Sequence, residues 1–266
     1  MTANESTLWA STKAEWIKFR TVRSSVMGVI LTFVLIIGLG ILVSSLERSH
    51  WSQVSTLRQA TFDPVSSSLV GILFGQLAVG VIGTLFITSE YSSGSIRTTL
   101  TAAPNRLRLI TSKLLVLFVT ILLVGEVVCV AAFLIGQKIY FGVVPTASLD
   151  NGAVLRSVLL AGVYLSLLGV LGFSLGLIFR QSGACISLFV TLLLVVPIIG
   201  FFFPQSWQND FQRFEPSTLG QSMFSPSAPS NSFGAWTATI VLTAYVLVIL
   251  VIALTLFDRR DAGAVA

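Results

Sequence analysis

The sequence predicts an all-α integral membrane protein with six transmembrane helices, and three observations carry that prediction. Of 266 residues, 54% are apolar and 10% charged, whereas a soluble domain carries roughly 25% charged residues to cover its surface. Mean hydropathy is +0.90. The apolar residues gather into six runs, 26–46, 69–88, 114–136, 154–179, 183–203 and 236–257, each close to the roughly 20 helical residues needed to cross a hydrocarbon core about 30 Å thick. The runs are continuous rather than alternating with period two, which favours helices over barrel strands. Finally, the basic residues are unequally shared. If the N-terminus is cytoplasmic, that side holds all but Arg48, Arg58, Lys138, Arg156 and Arg213 of the 16 Lys and Arg. The excess sets the expected topology, with both termini in the cytoplasm. The net charge of +5 therefore reads as topology rather than as a nucleic-acid surface, for which the chain has no soluble face.

Residues 1–25 carry several charges ahead of the first run and lack the short apolar run and small-residue cleavage site of a signal peptide, so the first span is expected to stay in the mature protein. Between Leu8 and Arg23 an amphipathic helix is predicted. At 100° per residue, Leu8, Trp9, Thr12, Trp16 and Phe19 fall within one arc of about 100°, with Lys13 and Arg20 on its flank and Lys18 opposite. Tryptophan and snorkelling basic side chains suit the headgroup boundary, so this helix is expected to lie along the membrane surface and meet lipids. A basic topogenic tail with incidental aromatics is the plainer alternative. No linker divides the remainder. A single membrane domain over 26–257, with a cytoplasmic tail at 258–266, is the simplest account.

The loop 89–113 after the second span is longer than a minimal helix connection. Pro104 ends any helix before it, and a short helix from about Gly94 to Thr101 would expose Ile96 and Leu100, four apart, beside Arg97. Such a stub gains order by docking against something; alternatively the loop is simply solvated. Gly94 permits a sharp turn, Arg97 offers a fork of donors to an acidic groove, and Ile96 with Leu100 makes a small apolar knob.

The string Glu90-Tyr91-x-x-Gly94-Ser95-Ile96-Arg97-x-Thr99-Leu100, followed by Pro104, Arg106 and Lys113, resembles the loop of type-2 ABC exporter permeases of the bacterial bacitracin, lantibiotic and multidrug kind. Ser95 stands where threonine is commoner in that family. The resemblance extends to length, the N-terminal interfacial helix, the six spans and the long connection between the fifth and sixth. It implies that the loop forms a coupling helix seated in a groove of a separate ATPase subunit, with Glu90, Tyr91, Gly94, Ser95, Ile96, Arg97, Leu100 and Arg106 as contact and hinge residues. It also implies two ATPase copies, a second permease copy (identical or paralogous) and residence in the bacterial cytoplasmic membrane. ATP and Mg would be held by the partner, and this chain would bind no cofactor. Consistent with a non-enzymatic transport subunit, the chain has no G-x-x-x-x-G-K-[S/T] phosphate loop. It has one histidine, His50, and so no His-based metal cluster. Cys129 and Cys185 lie inside apolar runs rather than in a disulfide framework.

Glu126 is the one acid within the six runs. A charged group at mid-membrane costs about 2.5–3.5 kcal/mol, so Glu126 is expected to face protein or water or to be protonated, with Gln76, Ser166, Tyr164 and Tyr245 as candidate partners. Two roles stay open: a polar anchor in a translocation path, together with Gln76, or a neutral acid hydrogen-bonded between helices. The first also supports a rival function, a proton-coupled secondary transporter or channel centred on Glu126. The pairs Gly71/Gly75 and Gly172/Gly176, with Gly38, Gly40, Gly80 and Gly83, provide small faces for close packing within a bundle or for a homodimer seam. Pro197 interrupts the fifth run, which is expected to end early and leave Ile198–Phe203 and Trp207–Phe214 as short re-entrant or interfacial helices within the outer connection 204–235. Trp207, Phe211 and Phe214 would share one face of the second.

Overall fold

A computed structural model describes residues 8–95, 106–200, 202–227 and 231–259, with the side chains at 8, 106 and 205 outside that description. The described residues form helices α1 (Leu8–Thr21), α2 (Arg23–His50), α3 (Thr56–Ala60), α4 (Pro64–Ser68), α5 (Ile72–Ser92), α6 (Arg106–Tyr140), α7 (Gly152–Phe179), α8 (Ser182–Gly200), α9 (Gln205–Arg213), α10 (Pro216–Phe224) and α11 (Ala235–Arg259). Six of them, α2, α5, α6, α7, α8 and α11, are long and apolar enough to cross a membrane. They mark a multi-pass membrane protein.

Local chemistry explains several boundaries. Asp63 caps α4 by accepting from Val65 N–H at 3.0 Å, with Pro64 in the first turn, and Asn151 caps α7 by accepting from Ala153 N–H at 2.9 Å. Both supply acceptors to N–H groups that the helix leaves unmet. At Val22 the chain is extended, which separates α1 from the first span. Several helices outrun their apolar runs. α6 covers 35 residues, because its polar first turns are satisfied by neighbouring charges rather than by leaving the helix.

The central helix is α7. Within its most apolar stretch 89% of the residues are buried, against 17% for α2, 22% for α8 and 28% for α11. Helices α5, α6 and α11 pack around it, and α2 lies across α5 and α6. Small residues make this possible. A Cβ on Gly83 would collide with the carbonyl of Gly169, and one on Gly172 with that of Gly80; Thr84 adds a hydrogen bond to the Gly172 carbonyl at 3.1 Å. Gly71 and Gly75 admit Ile36 of α2 in the same way. Where lipid offers no hydrophobic gradient, such close backbone approach is the main source of helix association. Gly38, by contrast, has open space around it.

The fifth span departs from expectation. It continues from Ser182 to Gly200 rather than ending early, with a π-helical turn at Thr191–Val195 in which Val196 N–H donates to the Thr191 carbonyl. The widened turn accommodates the missing donor and the ring of Pro197 without a break. A separate helix over Ile198–Phe203 therefore does not form: 198–200 complete the span and Phe202–Phe203 lie in a turn. The helix expected at Trp207–Phe214 is present as α9, and it is followed by α10, whose Leu219, Met223 and Phe224 are buried.

Candidate functional site

At the end of the bundle where α1 packs, three elements converge on one ionic cluster. Phe19 of α1 is buried and meets Phe86 of α5 edge-on at 5.4 Å between ring centroids. That contact turns Glu15, one helical turn before it, inward. Lys113, eight residues into α6, is fully buried and donates to Glu15 Oε2 at 2.6 Å and to Glu90 Oε1 at 2.7 Å. Its ammonium also lies 5.2 Å from the centroid of the Phe86 ring. Lys18 donates to Glu90 Oε1 as well. Two carboxylates thus face two ammonium groups.

Each charge explains another. Glu90 sits in the last turn of α5, where the helix dipole disfavours an anion, and the Lys113 ammonium is what offsets it. A buried ammonium costs several kcal/mol unless paired and hydrogen-bonded. Here both carboxylates and the ring face meet it. The Lys18 amine is held above its usual 10.5: burial is the largest single influence and lowers it, but the hydrogen bond to Glu90 and the charges of Glu15 and Glu90 together outweigh burial. Glu90 Oε2 is buried with no hydrogen-bond partner, and with Lys18, Ser25, Ser93 and Ser95 the Glu90 side chain lines a cavity of about 270 Å³.

The motif residues that follow divide into anchored and outward parts. The Tyr91 ring lies under Arg180, 5.2 Å from the guanidinium carbon; Arg180 ends α7 in the left-handed conformation. Gly94 has φ +69° with open space around its α-carbon, a turn that side chains resist, and Ser93 and Ser95 share a hydrogen bond at 2.9 Å. Ile96, Arg97, Leu100 and the Arg106 side chain lie outside the described residues. On α1, Trp9, Lys13, Trp16 and Arg20 are exposed. Phe19, expected at the lipid boundary, is instead a core residue stacked 6.4 Å from Trp16. Lys18, expected on the face opposite the aromatics, turns in toward Glu90 of α5, the carboxylate it donates to.

Within the bundle, Gln76 accepts from the Tyr164 hydroxyl and donates to the Leu73 carbonyl at 3.0 Å, and Ser166 donates to the Val163 carbonyl at 2.7 Å. These candidate partners of Glu126 are thus engaged elsewhere. The Glu126 carboxyl lies against α7 at Gly162, where a Cβ would come within 2.6 Å of it, and its Oε2 is buried without a partner.

Sequence reasoning missed Glu15, the burial of Lys113, and Glu215. The last is 5% exposed with Oε1 unpartnered. Its signal was available: an acid directly before proline in the N-cap position of a helix, flanked by Phe211 and Phe214.

The fold and its buried polar groups define an all-helical multi-pass membrane protein. Residues 50–262 match the family described as "Protein of unknown function (DUF2705)", and the chain belongs to that family. No curated protein matches the sequence.

Proposed function

We propose that the chain is the membrane-spanning permease subunit of an ATP-driven ABC exporter, forming the translocation path and coupling to separate ATPase subunits through the 89–108 loop. It would work as a pair of permeases with two ATPase copies, in the bacterial cytoplasmic membrane with both termini cytoplasmic. The observation that carries the reading is the position of the described part of the motif, residues 90–95. Glu90 is held in the Glu15–Lys113–Glu90–Lys18 cluster, and four residues on the chain makes a glycine turn at Gly94. A docking segment can transmit force only if its base is rigid, and a buried, mutually paired cluster joining α1, α5 and α6 supplies such a base. Displacement of the loop by ATP-driven closure of the partner would then tilt α5 and α6 together with α1 and alternate access to the path.

The test is assembly. Co-expression with the separately encoded ATPase should give a complex whose captured subunit carries a phosphate loop and hydrolyses ATP. Arg97→Glu combined with Ile96→Ala should abolish capture while leaving the six-helix bundle folded. Unchanged capture would remove the docking claim.

A second reading, a proton-coupled transporter, draws on the unpartnered Oε2 of Glu126. It requires transport that persists without any ATPase and stops when the proton gradient collapses and in Glu126→Gln.

A further inference from the structure

At the end of the bundle remote from α1, helices α7, α8 and α11 and the short helices α9 and α10 enclose a cavity of about 690 Å³ lined by Leu171, Leu192, Phe211, Phe214, Tyr245 and neighbouring apolar residues, with Glu215 the one acid in its wall. The volume lies within the roughly 300–1,000 Å³ typical of small-ligand sites. The carboxylate is the anomaly. It occupies the N-cap position of α10 yet accepts from none of that helix's N–H groups, so it does not serve as a cap. Its Oε1 is buried and has no partner. The oxygen packs against Gly200, where a Cβ would lie 3.0 Å from it and 2.9 Å from the Phe211 ring. Among the described residues no cation lies within 4 Å of Glu215. Arg213, two residues away, reaches Asp210 at 3.8 Å and stacks over Phe233. A buried carboxylate without a counter-charge is costly, and a cation with an apolar body relieves that cost while filling the cavity.

We propose that this cavity binds a lipophilic monocation, an aromatic or aliphatic body carrying one positive charge, with Glu215 as its counter-ion and the rings of Phe211, Phe214 and Tyr245 around it. Aromatic faces add cation–π attraction in such a setting. A phospholipid is a poorer occupant, since its phosphate would meet the Glu215 carboxylate. Burial pushes the Glu215 carboxyl above its usual 4.5, with Thr218 opposing; an arriving cation favours the ionised form. The inference deepens the exporter reading by naming a cargo chemistry, and it rests on that reading only for the step from binding to transport. Binding itself needs no ATPase subunit, so the two fail separately.

The experiment is equilibrium dialysis of tetraphenylphosphonium against the full chain in zwitterionic lipid nanodiscs, with empty nanodiscs as background and tetraphenylborate as the size-matched anion. Saturable cation binding is expected, weakened about tenfold or more by Glu215→Gln, largely kept by Glu215→Asp, and lost in Val248→Trp, which fills the cavity from its exposed rim and leaves the acid in place. Equal binding of tetraphenylborate, or unchanged binding in Glu215→Gln, would mean an apolar groove for acyl chains and overturn the proposal. Absence of saturable binding, or a cavity closed by a second copy of the chain in size-resolved particles, would overturn it too.

Discussion

Two buried glutamates at opposite ends of the bundle show how the same side chain can be spent differently. Glu90 shares its Oε1 with Lys18 and Lys113 and ties three helices together. Glu215 is equally hidden, 5% exposed against 4% for Glu90, but has no cationic partner within 4 Å among the described residues and faces a cavity. Burial therefore does not separate a structural acid from a binding one. The difference lies in whether neighbouring elements bring a counter-charge. At the α1 end they do, so the charge of the acid is compensated even though one of its oxygens has no hydrogen-bond partner. At the other end the charge is left for something outside the chain.

Breaking the compensated end should have the largest effect. Lys113→Ala leaves two buried carboxylates without their shared ammonium, and breaking a buried pair costs about 3–5 kcal/mol; a marked fall in thermal denaturation midpoint or folded yield is expected. Lys113→Met combined with Glu15→Gln and Glu90→Gln should recover much of that loss, because apolar and neutral groups no longer demand compensation. A full loss that the triple change does not relieve would show that the site depends on shape rather than charge.

Next is the packing that holds the two ends together. Gly83→Val and Gly172→Val each place side-chain atoms where a neighbouring backbone carbonyl sits, and overpacking of this kind costs about 1–3 kcal/mol or more. The same change at Gly38, which has open space, should leave the melting midpoint nearly unaltered. That contrast separates internal packing from a dimer seam: if Gly38→Val breaks an oligomer while the monomer stays stable, α2 carries the seam.

The direct comparison is Glu90→Gln against Glu215→Gln. Removing the Glu90 charge leaves Glu15 as the one counter-charge within 4.0 Å of Lys113 and Lys18 among the described residues and should destabilise by about 1–3 kcal/mol. Removing the Glu215 charge relieves an uncompensated group, so stability should hold or rise slightly.

The smallest effects concern pH. Both Lys18 and Glu215 bind protons more tightly in the folded state than usual, so each contributes stability at low pH that is lost as pH rises. The windows differ. For Lys18 the contribution is intact below its ordinary 10.5 and falls only above it, whereas for Glu215 the decline begins near 4.5. Denaturation midpoints measured across acidic pH should lose the Glu215 slope in Glu215→Gln and keep it in Lys18→Met.

The six spans were legible because membrane crossing is written in contiguous apolar residues, and each run lies within a few residues of a helix. Their limits were less so: the α6 helix begins well before its run because Lys113 is paired inside the protein rather than left at a surface. The small faces of Gly71/Gly75 and Gly172/Gly176 could be read as packing surfaces, but not which helix each would meet. The ionic cluster was hidden for a simpler reason. Lys113 and Glu15 lie 98 residues apart, and no local periodicity reports a contact at that separation. Glu215 carried a local signal, an acid directly before Pro216 and after Phe214, but its packing against Gly200 of α8 is a contact that no local pattern reports. Glu90 was found through its motif, and the structure adds that its side chain points into the bundle toward Lys113.

The central claim is that the loop leaving this cluster couples the bundle to ATP hydrolysis. The most direct measurement is the ATPase rate of the separately encoded partner reconstituted in lipid with the chain. The account predicts that the wild-type chain stimulates hydrolysis and that Arg97→Glu with Ile96→Ala abolishes stimulation while the chain keeps its wild-type denaturation midpoint. Equal stimulation by both chains, or none by either, would contradict it.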